Sequence, residues 1–121
     1  RDVDQINIKE IGDELRRVSR ECRDLKINKK EFFGGSMTIS SLGGIGGTFF
    51  TPIINPPEVA ILGVGRSYDK LVKTKGQLVN RKILPISLSY DHRIIDGAEG
   101  ARFCVHLNKS LGKDFAFKLA V

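Results

Sequence analysis

His92 is the residue of this sequence best placed to move a proton. Histidine changes charge closest to neutral pH of all the side chains, so it can take up and return a proton under ordinary conditions. It follows a run in which Leu84, Ile86, Leu88 and Tyr90 alternate with Ile83, Pro85, Ser87 and Ser89, the period of two that marks a strand. Downstream, Asp96 has Glu99 three residues later and an apolar helical pattern beyond it, a capping-box-like helix start. The spacing predicts His92 on the loop between a strand end and a helix start, where scaffolds mount working residues. The same residues admit a plainer account. A single loop histidine is ordinarily solvated or hydrogen-bonded, and Asp96 need be nothing more than a cap. No serine or cysteine stands beside it in the pattern of a hydrolase nucleophile elbow, so no triad is read here.

The elements that must hold this loop follow from periodicity. Ile8, Ile11, Leu15, Val18, Cys22 and Leu25 recur at intervals of three and four, predicting an amphipathic helix over 8–25 that forms an outer layer of the core. Residues 1–4 read as a strand end and turn entering it, and Asn28 as the cap of a short turn ending at Gly34-Gly35. Residues 36–41 alternate as a half-buried strand, followed by Gly43-Gly44-Ile45-Gly46-Gly47. That loop lacks both the Walker spacing with its lysine and a dinucleotide fingerprint, so it is read as allowing close backbone approach to a ligand or another subunit. Asn55-Pro56-Pro57 excludes a central strand. Val59–Gly65 is continuously apolar, as a strand buried on both faces would be. Residues 67–80 read as a polar hairpin turning near Lys75-Gly76, and 97–111 as a second helix. The tail from Phe115 to Val121 is apolar and is expected to pack on its own domain. Strands interleaved with helices predict an α/β layered sandwich with a mostly buried sheet.

The 121 residues make at most one domain, and the 40% apolar share with mixed charge is that of a soluble globular protein. No apolar run approaches a membrane span and no secretory signal opens the chain. Cys22 and Cys104 both fall in helical patterns among apolar neighbours, and read as reduced core thiols of an intracellular protein. The net charge of +6 includes seven basic residues between Arg16 and Lys30. They lie mostly on the outer face of the first helix, without interleaved aromatics or a nucleic-acid motif, so a solvated face is expected rather than a nucleic-acid partner.

The run from Ser89 to Ala98, Ser-Tyr-Asp-His-Arg-Ile-Ile-Asp-Gly-Ala, resembles the His-x-x-x-Asp-Gly signature of the dihydrolipoamide acyltransferases. These are core subunits of the 2-oxoacid dehydrogenase complexes, and the chloramphenicol acetyltransferases are relatives. A second block, Thr38–Gly43 and Thr51–Gly63, is similar to the same family, and the two occur in the right order. Ser40-Ser41, the Glu-Val-Ala-Ile-Leu-Gly run and Ser-Tyr-Asp resemble the acetyl-transferring members of the pyruvate complex.

The resemblance implies the coenzyme A-dependent acyltransferase fold with a mixed sheet, with residues 1–121 corresponding to the C-terminal half of its catalytic domain. A sheet cut in this way would expose apolar strands, so the chain is expected to be part of a larger polypeptide. The implied reaction passes an acyl group, in these members acetyl, between dihydrolipoamide and coenzyme A. His92 would be the general base on the thiol and Ser40 the oxyanion donor, with Ser41 one place away as an alternative alignment. Asp96 would support the site through a basic residue outside this segment. No acyl-enzyme, metal or resident cofactor is called for, and the lipoyl group would arrive on a separate lipoyl domain. The implied assembly is a homotrimer building a cubic or icosahedral core, with His and Ser supplied by different subunits. Its partners would be the 2-oxoacid decarboxylase and dihydrolipoamide dehydrogenase, in the cytoplasm or, in a eukaryote, the mitochondrial matrix. Neither nucleic acid nor membrane is expected. An acetyltransferase acting on small hydroxyl compounds, or a non-catalytic core fragment, are the other readings.

Overall fold

A computed structural model describes residues 2–112 of the chain. They fall into two units, residues 2–34 with 111–112, and residues 35–110. The apolar tail from Phe115 lies outside the described residues.

The first unit is built on α1 (Ile8–Arg23). Asn7 starts it with a capping box that answers two backbone donors at once. The Glu10 amide donates to Asn7 Oδ1 at 3.0 Å, and the Asn7 amide donates to Glu10 Oε2 at 2.8 Å. Arg17 ties three turns together, donating to Glu14 at 2.9 Å and to Glu21 at 2.8 Å. The helix stops two residues short of the predicted Leu25 because Leu25 itself turns left-handed, with φ 54°. The Lys26 amide then reaches back to the Glu21 carbonyl at 2.9 Å, the closure of a Schellman end. Residues 2–5 form a turn rather than a strand end, the Gln5 amide donating to the Asp2 carbonyl. Asn28 does cap a short 3-10 turn, Lys29–Phe32. None of the residues of α1 is buried among the described residues.

The second unit carries β1 (Thr38–Ser41), β2 (Ala60–Val64), β3 (Tyr68–Thr74), β4 (Gln77–Ile83), β5 (Ile86–Tyr90) and α2 (Gly97–Ser110). Its main sheet has the order β1-β2-β5, with β1 parallel and β5 antiparallel to β2. The sheet is therefore mixed, as the sequence predicts. The central strand is the apolar one: Ala60, Ile61, Leu62 and Gly63 are all buried. In β1 the covered face is the polar one. Thr38 and Ser40 are half-buried while Ile39 is 68% exposed, because Thr38 turns inward to donate to Glu58 at 2.6 Å.

At its two flanks, Gly43 and Thr48, the glycine-rich loop makes a close approach to Gly65 within the chain itself. A Cβ on Gly65 would lie 2.2 Å from the carbonyl oxygen of Thr48, and one on Gly43 would lie 3.2 Å from the carbonyl oxygen of Gly65. Between them the Arg66 amide donates to Gly47 at 2.9 Å. Beyond it β3 and β4 pair antiparallel as a separate hairpin, with Asp69 opposite Lys82. Its tip is Lys75-Gly76, both left-handed (φ 51° and 82°), the twist a two-residue hairpin turn requires.

Adding a methyl group at Gly65 forces it into a backbone oxygen that cannot swing aside, whereas Gly44 faces open space. In urea unfolding, Gly65→Ala should destabilise the protein by roughly 2 kcal/mol or more, the upper part of the overpacking range. Gly44→Ala should leave the midpoint unchanged or slightly raised. Equal midpoints for the two variants would contradict the close approach.

Candidate active site

The loop that carries His92 is held almost entirely by Asp91. The Asp91 amide donates to the Val59 carbonyl at 2.8 Å, carrying the β2–β5 pairing one residue past Tyr90. The Asp91 carbonyl accepts from the amides of Ile94 and Ile95 at 3.0 and 2.9 Å. Its carboxylate accepts from the Arg93 amide at 3.0 Å, and Arg93 Nε donates to Oδ1 and Oδ2 at 2.9 and 3.1 Å. These bonds from Arg93 stabilise the ionised form and hold the Asp91 carboxyl well below the usual carboxylate range, at about 2.

His92 projects from this bracket and is exposed. Its ring lies 5.8 Å from the ring of Tyr90, tilted by 36°. Tyr90 is fixed in turn by α2, where Gly100 leaves room for its ring; a Cβ there would sit 2.9 Å from Tyr90 Cε1. The imidazole opens onto a cavity of about 580 Å³ that it shares with Ile54, Pro57, Glu58 and Arg93. That volume lies within the ~300–1,000 Å³ common for small-molecule sites.

Asp96 is the helix cap that its spacing predicts. Its Oδ1 accepts from the Glu99 amide at 2.7 Å. The reciprocal half of the box is not made, since the Glu99 side chain pairs with Arg102 instead. Asp96 is exposed, and among the described residues no basic side chain pairs with it.

Ser40 does not join His92 within one chain. Through the sheet, Ser40 stands opposite Gly63, which stands opposite Ser87, whereas Tyr90 stands opposite Ala60. Ser40 is thus two strands across and three residues along from Tyr90, roughly 14 Å from it. His92 follows on the turn that begins after Asp91, beyond that end of β5. Asp91, Arg93 and Tyr90 went unnoticed as site residues in the sequence, although an aspartate directly after a strand end is a recognisable turn former.

Residues 1–116 match the family model of the 2-oxoacid dehydrogenases acyltransferase (catalytic domain). The chain belongs to this family. It is 50% identical over 111 residues to the dihydrolipoyllysine-residue acetyltransferase component of the pyruvate dehydrogenase complex of Cupriavidus necator, a match that covers 92% of this chain and 20% of that protein. Among solved structures it resembles the dihydrolipoamide acetyltransferase of Azotobacter vinelandii, with TM-score 0.89 and 45% identity over 96% of this chain and 48% of that one. The roles of a serine, a histidine and an asparagine in the catalytic mechanism of that enzyme have been investigated. The cubic core of the pyruvate dehydrogenase multienzyme complex matches equally well in fold, at TM-score 0.89 and 44% identity. The chain therefore has the mixed-sheet α/β fold of these cores, and spans about half the length of the solved ones and a fifth of the curated relative.

A folded-state carboxyl pKa below its unfolded value means the Asp91 clamp is complete above the ordinary aspartate range and is lost only as pH falls through about 2. The Asp91 carboxyl carbon, followed by NMR, should titrate at about pH 2, and in Arg93→Ala it should return to about 4, the ordinary aspartate value. A midpoint near the ordinary value in the unsubstituted protein would show that the pair does not form in solution.

Proposed function

We propose that this chain forms part of an acetyltransferase site that passes an acetyl group between dihydrolipoamide and coenzyme A. The reading is carried by His92, a histidine held by a fully bonded loop at the mouth of a cavity, in a chain that belongs to an acyltransferase family. In the Azotobacter vinelandii enzyme, the investigated serine, histidine and asparagine fall at the same intervals as Ser40, His92 and Asp96 do here. Aspartate replaces asparagine at the third position. Both side chains carry an oxygen able to accept from a helix-start amide, as Asp96 does here, while the charge of Asp96 is absent from the asparagine of that enzyme.

The imidazole takes the proton of the attacking thiol as sulfur adds to the thioester carbonyl. The resulting tetrahedral oxyanion needs a donor where its charge develops, and Ser40 Oγ is that donor. When the adduct collapses, the carbon–sulfur bond to the first thiol breaks and the imidazolium returns the proton to the departing thiolate. A thiol is about 8.5 in pKa, so at neutral pH a positioned base matters to its attack. Because Ser40 and His92 stand far apart in one chain, the donor to one His92 comes from a second copy. This supports a trimeric building block in a larger cubic or icosahedral core. The lipoyl group arrives on a lipoyl domain, and the decarboxylase and dihydrolipoamide dehydrogenase act around the same core. Free Cys22 and Cys104 suit a reducing compartment, the cytoplasm or a mitochondrial matrix.

His92→Ala in the intact protein should lower kcat for acetyl transfer by ~10²–10⁴, the loss of a general base. Ser40→Ala should lower it by ~10²–10³, the loss of one oxyanion donor. Near-normal transfer by His92→Ala would remove the base from the account, and a loss confined to Ser41→Ala would move the donor by one place.

A further inference from the structure

We propose that Asp91 is a positioning residue for His92, acting through the hydrogen bond from the Arg93 amide to Asp91 Oδ1. The proposal rests on the reading of His92 as the base. Each polar group of Asp91 is committed to the loop: its amide to Val59, its carbonyl to Ile94 and Ile95, and its carboxylate to the Arg93 amide and guanidinium. His92 itself makes no hydrogen bond among the described residues. Its backbone is therefore set from outside, by bonds that close from the residue before it to the residue after it. A rotation about the His92 dihedrals moves the Arg93 amide away from Oδ1, so the bond resists that rotation directly. The tilted Tyr90 ring meets the imidazole from the strand side and limits the side chain in the same way.

The two parts of the Asp91–Arg93 contact have different consequences. The amide bond fixes the backbone that carries the imidazole. The guanidinium, on a side chain 88% exposed, folds over the carboxylate from solvent and is screened there. Positioning therefore depends on an acceptor at Oδ1 more than on the negative charge. A base displaced by ~1 Å loses on the order of 10²-fold in rate, and without the carboxylate only the backbone bonds on the Asp91 side hold the loop, with nothing closing onto the Arg93 amide.

The experiment compares Asp91→Ala and Asp91→Asn in the full-length protein, with S-acetyldihydrolipoamide and coenzyme A as substrates. Asp91→Ala should lower kcat by about 10²-fold with both KM values little changed. Asp91→Asn keeps an oxygen acceptor for the Arg93 amide and should stay within about threefold of the parent. The imidazole nitrogen signals of His92, read by NMR, should shift and broaden in Asp91→Ala and stay in place in Asp91→Asn. Unchanged kcat and ring signals in Asp91→Ala would overturn the proposal. Asp91→Asn falling as far as Asp91→Ala would also overturn it, since the charge or the fold would then be what matters. Should Asp91→Ala not fold, Asp91→Leu, which keeps the bulk of the side chain without an oxygen acceptor, takes its place with the same expected loss of kcat and shift of the ring signals. His92→Ala separates the two readings: full activity there removes the base assignment, whereas the ring signals report the positioning whether or not the imidazole acts as base.

Discussion

The register of the three-stranded sheet is the constraint on which the functional account rests. Parallel pairing of β1 with β2 and antiparallel pairing of β2 with β5 put Ser40 level with Gly63 and Ser87. The loop with His92 leaves the sheet at the other end, beside Val59. Backbone hydrogen bonds hold this arrangement along β2, the buried strand of the unit, so a slip would turn its apolar residues to the wrong face. A base and an oxyanion donor must flank one reacting carbonyl within a few ångströms. On the proposed reading, the register keeps Ser40 and His92 of one chain apart, and the site draws them from two copies.

Around His92 the support is local. Tyr90 packs into the space left by Gly100 and meets the imidazole, Asp96 starts α2, and Asp91 closes the turn between strand and helix. These contacts link the start of α2 to the histidine through a few well-packed groups, the arrangement that keeps a first-rank side chain in place. On the far side of the cavity, Glu58 is held by Thr38 across twenty residues of sequence. β1 thus supports the wall of the His92 cavity through Thr38 and Glu58.

Much of this was legible in the sequence where a local rule decides the outcome. Lys75-Gly76 marks the hairpin because a two-residue turn needs left-handed residues. The apolar run Ala60–Gly63 marks the buried strand, and Asp96 marks the start of α2. The parts not read depend on partners distant in sequence or on conformations that composition hides. Asp91 and Arg93 are two residues apart, and it is the turn after β5 that folds Arg93 back onto the Asp91 carboxylate. Thr38 turns inward because Glu58 is there to accept, which reverses the face that Ile39 would suggest. Leu25 ends α1 by taking a left-handed conformation ordinarily left to glycine. The role of Ser40 came only with the family resemblance, since a serine on a strand carries no signal of its own.

The central claim is that base and oxyanion donor meet across two copies, and co-assembly of two inactive variants tests it most directly. Chains carrying His92→Ala and chains carrying Ser40→Ala are unfolded, mixed in equal amounts and reassembled. In a ring where each site pairs His92 of one copy with Ser40 of the next, about a quarter of the sites in a random mixture hold both intact residues. Acetyl transfer should then recover to about a quarter of the parental rate, far above either variant alone. If both residues instead serve a site within one chain, every chain in the mixture is defective. Activity that stays at the level of the separate variants would contradict the account.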